Sequence, residues 1–385
     1  LTFNKTYRII ILRNRLQTIH FPLLEAKGLW SVTTNNEKPT KLADIARMAG
    51  VSTSTASRSL QDNSMISVET RERVKAIAQK HNYRSNILAR NLRLSQSNSI
   101  ALVLPIDPAT EAILTNPFVL KFFGAIGSLL SKNSYDILVS QTNFNSRQFD
   151  SQYYDSGLVA GFITLGRGKD DTHLNEMAVR GVPLVVWGPI VEGQKYCSVG
   201  IDNIASAREA TQYLIGLGRR RIAIITGDLD YKHSEGYLRF LGYQEALASA
   251  GIPFDAALIS TANFSGQSGY SAMNRLIQAA PDLDAVFVAY SDAVAIAAMQ
   301  ALGDAGKSMP DDVSVVGFDN IEVSAFTNPS LTTISQGLHK GGAELLVTKL
   351  LQQISGEKTS STMLNGELII RKSCSPVVSR NFKGS

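Results

Sequence analysis

Two cysteines in 385 residues exclude a disulfide framework, and Cys197 and Cys374 lie too far apart in the chain to form a cysteine-built metal cluster. This usage suits a reducing cytoplasm, and Cys197 reads as a small buried side chain. Long apolar runs are also missing. Ile9 to Leu12, between Arg8 and Arg13, is too short for the apolar core of an export signal. No other stretch approaches the roughly 18 to 20 apolar residues of a membrane helix. There is no G-x-S-x-G elbow, no G-x-x-x-x-G-K-[ST] phosphate loop and no H-E-x-x-H metal motif. Gly166-Arg-Gly168 is a loop signal without a third glycine. No enzyme activity, cofactor or metal site is expected.

Charge, by contrast, is segregated. Residues 38–98 hold 11 Lys and Arg against 4 Asp and Glu, and residues 1–37 hold 5 against 2. With a chain total of +5, the segments sum to +7 and +3, leaving −5 for residues 99–385. A basic head on an acidic body points to a polyanion partner for the head alone, bound through phosphate neutralisation and counterion release.

The head also carries a pattern. Leu42, Ile45, Ala46 and Ala49 recur at helical spacing, with Asp44 and Arg47 on the opposite face. Gly50 supplies a permissive backbone for a turn, and Ser52 is a natural N-cap for a second helix over Thr53 to Leu60. Ala56 and Leu60 face inward there, leaving Thr53, Ser54, Ser57 and Arg58 outward. Two short helices around a tight turn form a helix-turn-helix, whose second helix reads the major groove. Arg58 is the best candidate for a bidentate contact to guanine, because its fork matches two acceptors on one base edge. The alternative is a solvated amphipathic hairpin. Ser67 to Tyr83 supplies a third helix with Val74, Ile77 and Ala78 on its buried side.

The run from Thr40 to Leu104 resembles the lactose-repressor (LacI/GalR) family of bacterial transcription regulators. The resemblance is carried by Thr40, Asp44, Ala46, Ala49, Gly50, Val51, Ser52, Thr55, Ser57, Arg58 and Leu60. It continues through Ser67, Thr70, Arg71, Val74, Tyr83, Asn86, Ala89, Arg90 and Leu92. It implies that Thr53, Ser54 and Arg58 read bases while Thr40, Ser52, Thr55 and Ser57 hold phosphates. Leu92 would wedge into a minor-groove step from a paired hinge helix, and Ala89 would let two such helices approach. Ser85 stands where the family usually has proline, which would let the hinge helix fray more easily.

Beyond Ile100, short apolar runs alternate with helical segments: Ile100–Leu104, Tyr135–Val139, Leu158–Thr164, Pro183–Trp187, Ile222–Thr226, Ala285–Ala289 and Val313–Val316. Such alternation implies parallel α/β architecture, and about 285 residues after the hinge exceed one ordinary core. The family resemblance extends through Val199–Asn203, Tyr213–Gly227, Arg239–Tyr243, Ser291-Asp292, Pro310–Asp319 and Pro329–Gln336, so that it covers most of the chain. It implies a two-lobed core, similar to periplasmic sugar-binding proteins, with crossovers near Val199, Ile334 and Asn365. The expected organisation is a poorly ordered leader (1–38), an all-α helix-turn-helix head (39–84), a hinge helix and linker (85–98), and an α/β effector-binding and dimerisation core (99–385). The first lobe would take about 99–199 and 334–365, the second about 200–333 and 366–385. An accessory DNA-contacting arm is the alternative for the leader.

By the same resemblance the effector cleft takes Asn116, Pro117 and Phe118 from the first lobe, and Arg239, Phe264, Ser291, Asp292 and Asp319 from the second, with Trp187 as a further aromatic. Arg and Asp can each bond two vicinal hydroxyls, and aromatic faces stack on a sugar. Ser291-Asp292 replaces a commoner Asn-Asp, and His233 stands where the purine-binding member has arginine; both argue against purine. The implied function is a cytoplasmic, homodimeric repressor of double-stranded operator DNA controlled by a small carbohydrate. The alternatives are a transport-type solute-binding protein, the same regulator with a nucleobase or phosphorylated effector, and, more remotely, an enzyme on this scaffold.

Overall fold

The computed structural model describes residues 41–83, 97–105, 116–142, 149–263 and 265–376. The expected leader, Thr40, the hinge helix with Ala89 and Leu92, and Phe264 lie outside the described residues. The chain divides into two units, 1–85 and 86–385.

In the first unit, α1 (Leu42–Met48), α2 (Thr53–Leu60) and α3 (Val68–Lys80) enclose Ile45, Ala46, Ala49, Ala56, Val74 and Ala78. Leu42, Val51, Leu60, Ile77 and Tyr83 pack around that cluster. Four of the six buried residues are alanines, which lets short helices approach closely. Gly50 takes φ +65°, a left-handed geometry that lets α1 stop and the chain reverse into α2. Ser52 caps α2 by accepting from the Thr55 amide at 3.1 Å, and Ser67 caps α3 through the Thr70 amide.

The second unit holds two six-stranded sheets. β1 (Ser99–Pro105), α4 (Pro117–Lys132), β2 (Asp136–Thr142), α5 (Phe149–Asp155), β3 (Gly161–Leu165), α6 (Thr172–Val179), β4 (Leu184–Trp187) and β5 (Cys197–Ile201) make most of the first lobe. The second follows with α7 (Asn203–Gly216), β6 (Ile222–Thr226), α8 (Glu235–Ser249), β7 (Ile259–Thr261), α9 (Gly266–Ala279), β8 (Ala285–Val288), α10 (Asp292–Asp304), β9 (Ser314–Phe318) and β10 (Thr332–Ser335). The chain then returns to the first lobe for α11 (Ala343–Ile354) and β11 (Thr362–Leu364), and ends its sheet pairing in the second with β12 (Glu367–Ile369).

Strand orders are β11-β5-β4-β3-β1-β2 and β12-β10-β9-β8-β6-β7. The β10–β12 pair is antiparallel and the other pairings are parallel. Interior strands β4, β6, β8 and β9 are buried at every position, as expected when helices cover both faces. The three crossovers fall after β5, after β10 and between β11 and β12.

Some bounds move. Leu158 and Val159, expected in a strand, instead donate their amides to the Tyr153 carbonyl and close the turn after α5, so β3 starts at Gly161. Both cysteines are free thiols; Cys197 is buried.

Candidate functional site

In the first unit the candidate surface is the exposed side of α2. Thr53, Ser54 and Arg58 are exposed, and Thr55 and Ser57 are half-buried. The Ser52 hydroxyl lies 2.8 Å from Ser54 Oγ and 2.9 Å from Thr55 Oγ1, so the cap also fixes the hydroxyls at the helix start. Ser57 accepts from Gln61 Nε2 at 3.3 Å. The Arg58 guanidinium has no protein partner among the described residues, which leaves its fork free for a base edge.

Three other cations of the basic head are committed internally. Arg47 pairs with Asp44, Arg71 donates to the Asp62 carbonyl at 2.9 Å, and Lys75 reaches the Asp62 carboxylate at 2.5 Å. Lys75 holds the Asp62 carboxyl below its ordinary range. The net charge of this head therefore overstates the number of cations free for phosphate.

In the second unit the site is built where parallel strands end. The loop after β3 meets the loop after β6: Tyr231 Oη donates to the Gly168 carbonyl at 2.5 Å, Arg167 Nη2 to the His233 carbonyl at 3.3 Å, and Lys169 pairs with Asp228 at 3.1 Å. Elsewhere Lys121 of α4 donates to the Asn320 carbonyl, just beyond β9, at 3.1 Å. The C-terminal strand ends of the two sheets thus face one another, the usual place for a ligand in α/β sheets.

Arg239, on α8, lies at the base of this cleft and is 5% exposed. Its Nε donates to Asn203 Oδ1 at 2.8 Å, and Nη1 donates to the carbonyls of Ala289 (2.9 Å) and Tyr290 (3.2 Å). The guanidinium carbon sits 3.5 Å from the centroid of the Phe318 ring. Asp319 follows Phe318, is 6% exposed, and accepts from Gln336 Nε2 at 2.6 Å through Oδ1. Burial pushes the Asp319 carboxyl up to about 8, against the pull of Arg239 and with a push from Asp292. Arg239 Nη2 and Asp319 Oδ2 have no protein partner among the described residues, and neither is among the sealed polar atoms. A guanidinium edge and a carboxylate oxygen therefore remain for a ligand.

Other expected cleft residues hold the walls. Asn116 caps α4 by accepting from the Phe118 amide at 2.9 Å, Pro117 is its first residue, and Phe118 is buried in the first-lobe cluster. Three more of the expected cleft residues are held within the lobes. Trp187 is 5% exposed and packs edge-on against Phe122, with ring centroids 6.3 Å apart, so it fills the core and offers no open stacking face. Ser291 is 1% exposed, and its hydroxyl caps α10 by accepting from the Val294 amide. Asp292 is 0% exposed with both oxygens bonded inside the lobe, to the Thr333 hydroxyl at 2.6 Å and the Ile321 amide at 3.0 Å.

Asn203, Gln336 and Lys121 were not singled out from sequence. Asn203 and Gln336 close two of the runs that carried the resemblance, which was the available signal. Among the described residues no cluster of three or more His, Cys, Asp or Glu could hold a metal ion, and no helix is long and apolar enough to cross a membrane.

An arginine-bearing recognition helix in one unit and a polar interlobe cleft in the other define a ligand-responsive, DNA-binding transcriptional regulator. The sequence profile of the lacI family of bacterial regulatory proteins matches residues 41–86, and that of a periplasmic binding protein-like domain matches 211–374. The HTH-type transcriptional regulator CelR of Thermobifida fusca is 34% identical over 341 residues, spanning 87% of this chain and 98% of that protein. The structure of a CelR–cellobiose complex aligns with TM-score 0.65 and 31% identity over 87% of this chain and 99% of that one. The lac repressor dimer bound to operator and the anti-inducer ONPF aligns with TM-score 0.75 and 27% identity, over 88% and 100%. The chain belongs to the lacI family of bacterial regulatory proteins.

Proposed function

We propose that the protein is a cytoplasmic, non-enzymatic repressor whose operator affinity is set by a carbohydrate bound between the two lobes. The observation that carries this is the uncommitted pair at the cleft base, Arg239 Nη2 and Asp319 Oδ2, on otherwise fully held side chains. Two donors beside an acceptor match the hydroxyls of a sugar, which both donate and accept. The relative crystallised with cellobiose supports the same class of ligand. In the head, Thr53, Ser54 and Arg58 read bases, with phosphates held by Ser52, Thr55 and Ser57.

Two heads acting together require two copies, and the solved lac repressor is a dimer. Exposed Leu120, Ile137 and Val139 of the first lobe and Val323 and Phe326 of the second supply apolar surface for that association. Lobe closure around the sugar would alter DNA affinity only through different affinities for the open and closed forms.

The test is a thermal-shift series with cellobiose, other sugars, nucleobases and sugar phosphates. A ligand at 100 times its Kd adds about 2.7 kcal/mol of stability. Stabilisation by a neutral sugar supports the proposal; stabilisation by purines alone would overturn it.

A further inference from the structure

The segment that presents Asp319 has two consecutive residues, neither of them glycine, in left-handed geometry: Asp319 at φ 110° and Asn320 at φ 51°. Such a backbone persists only where the surroundings over-determine it. Here two side chains do so, Asp292 buried and Arg371 half-buried. Asp292, on α10, takes the Ile321 amide on Oδ2 and the Thr333 hydroxyl on Oδ1, while Thr333 Oγ1 also receives the Asn320 amide at 3.3 Å. Arg371, beyond β12, donates Nη2 to Asn320 Oδ1 at 2.6 Å and Nη1 to Ser324 Oγ at 3.0 Å and the Leu331 carbonyl at 2.7 Å. Space is set aside for the arrangement: a Cβ on Gly317 would sit 2.3 Å from Asp292 Oδ1. The held turn also receives the other lobe, since the Asn320 carbonyl accepts from Lys121.

We propose that Asp292 and Arg371 are positioning residues for the effector, clamping the Asp319–Asn320 turn so that Asp319 Oδ2 faces the cleft while the Asn320 carbonyl faces Lys121. Neither side chain touches the ligand. Effector contact and interlobe contact are thereby made by adjacent residues of one strained turn, so what loosens the turn weakens both. This inference rests on the carbohydrate reading for its binding arm and is independent of it for its backbone arm.

Asn320→Gly separates positioning from folding. It removes the Arg371 acceptor yet relieves the backbone at φ 51°, so the melting temperature is expected to hold. The Kd for cellobiose, measured by titration calorimetry on the full chain, should rise about tenfold, the equivalent of one good hydrogen bond to a charged group. Asn320→Asp restores the acceptor and should return the Kd to within about twofold, and Arg371→Gln combined with Asn320→Gly should add little to either alone. In the backbone arm, hydrogen exchange of the Ile321 amide in the effector-free protein should speed up about tenfold or more in Asp292→Asn. Cellobiose binding unchanged by Asn320→Gly, additive effects in the double variant, or an unaltered Ile321 exchange rate would each overturn the clamp. If the unsubstituted protein binds no carbohydrate while Ile321 exchange still responds to Asp292→Asn, the clamp stands and the carbohydrate reading fails.

Discussion

The head and the core place their working groups in opposite environments. In the head a small apolar cluster of Ile45, Val74 and four alanines holds three helices, and the side chains proposed to read bases, Thr53, Ser54 and Arg58, stand exposed. In the core the groups proposed to bind the effector, Arg239 and Asp319, are themselves nearly sealed, each held by buried partners with one edge left over. An exposed fork costs nothing to desolvate until DNA arrives and adapts to it. A buried ion is pre-oriented, and its surroundings must be right before any ligand binds.

Breaking one region should therefore resemble unfolding in the core and loss of recognition in the head. The largest effect is expected from Arg239→Met, which strands Asn203 Oδ1 and two carbonyls and removes the cation that pulls against the rise at Asp319. Loss of one partner from such a buried set costs about 3 to 5 kcal/mol. Thermal denaturation should show a lowered core transition, and binding of the proposed sugar effector should vanish. Ile45→Ala, at a 0% exposed position, should cost the head about 2 to 5 kcal/mol. Operator binding should then fail while calorimetry finds affinity for the proposed sugar effector intact; parallel loss of both would break the comparison. Arg58→Ala should leave both melting transitions in place, weaken operator binding by about 1 to 3 kcal/mol and relax preference at one base position, read from binding to a substituted operator series.

Between about pH 5 and 9 a pH dependence is expected in the core. Asp319 is raised from 3.8 to about 8 when folded. Between those values the folded state retains a proton that the unfolded chain has released, so this residue's contribution to stability is present below about pH 4 and is lost as pH rises through about 8. A carboxylate accepting sugar hydroxyls gains from ionisation, so cellobiose affinity should move the other way, rising from pH 6 to 8.5. Both slopes should flatten in Asp319→Asn, as followed by melting temperature and calorimetry.

The same contrast governs what could be read from sequence. Local patterns were legible: the Gly50 turn, the Ser52 cap, Ile222–Thr226 with its bounds, and a helix expected over Phe118–Ser131 that spans Pro117–Lys132. Strands of three residues such as β7, β11 and β12 were not singled out, because so few residues carry no period and the pairing partner lies far away in the chain. Asp292 and Asp319 look alike as letters, each beside a strand end; only Thr333, Ile321 and Gln336, brought in from elsewhere, leave one with both oxygens bonded and the other with one oxygen over. For Trp187 the sequence is silent for a similar reason, since whether an aromatic at a strand end faces a cleft or a core depends on what packs over it, here Phe122.

The most direct measurement is operator affinity of the full chain, by fluorescence anisotropy, across a cellobiose titration for the unsubstituted protein and for Asp319→Asn. The account predicts that the sugar shifts operator Kd in the unsubstituted protein and that the shift disappears in Asp319→Asn while its sugar-free operator affinity stays the same. An operator Kd that does not move while calorimetry shows the sugar bound would contradict it.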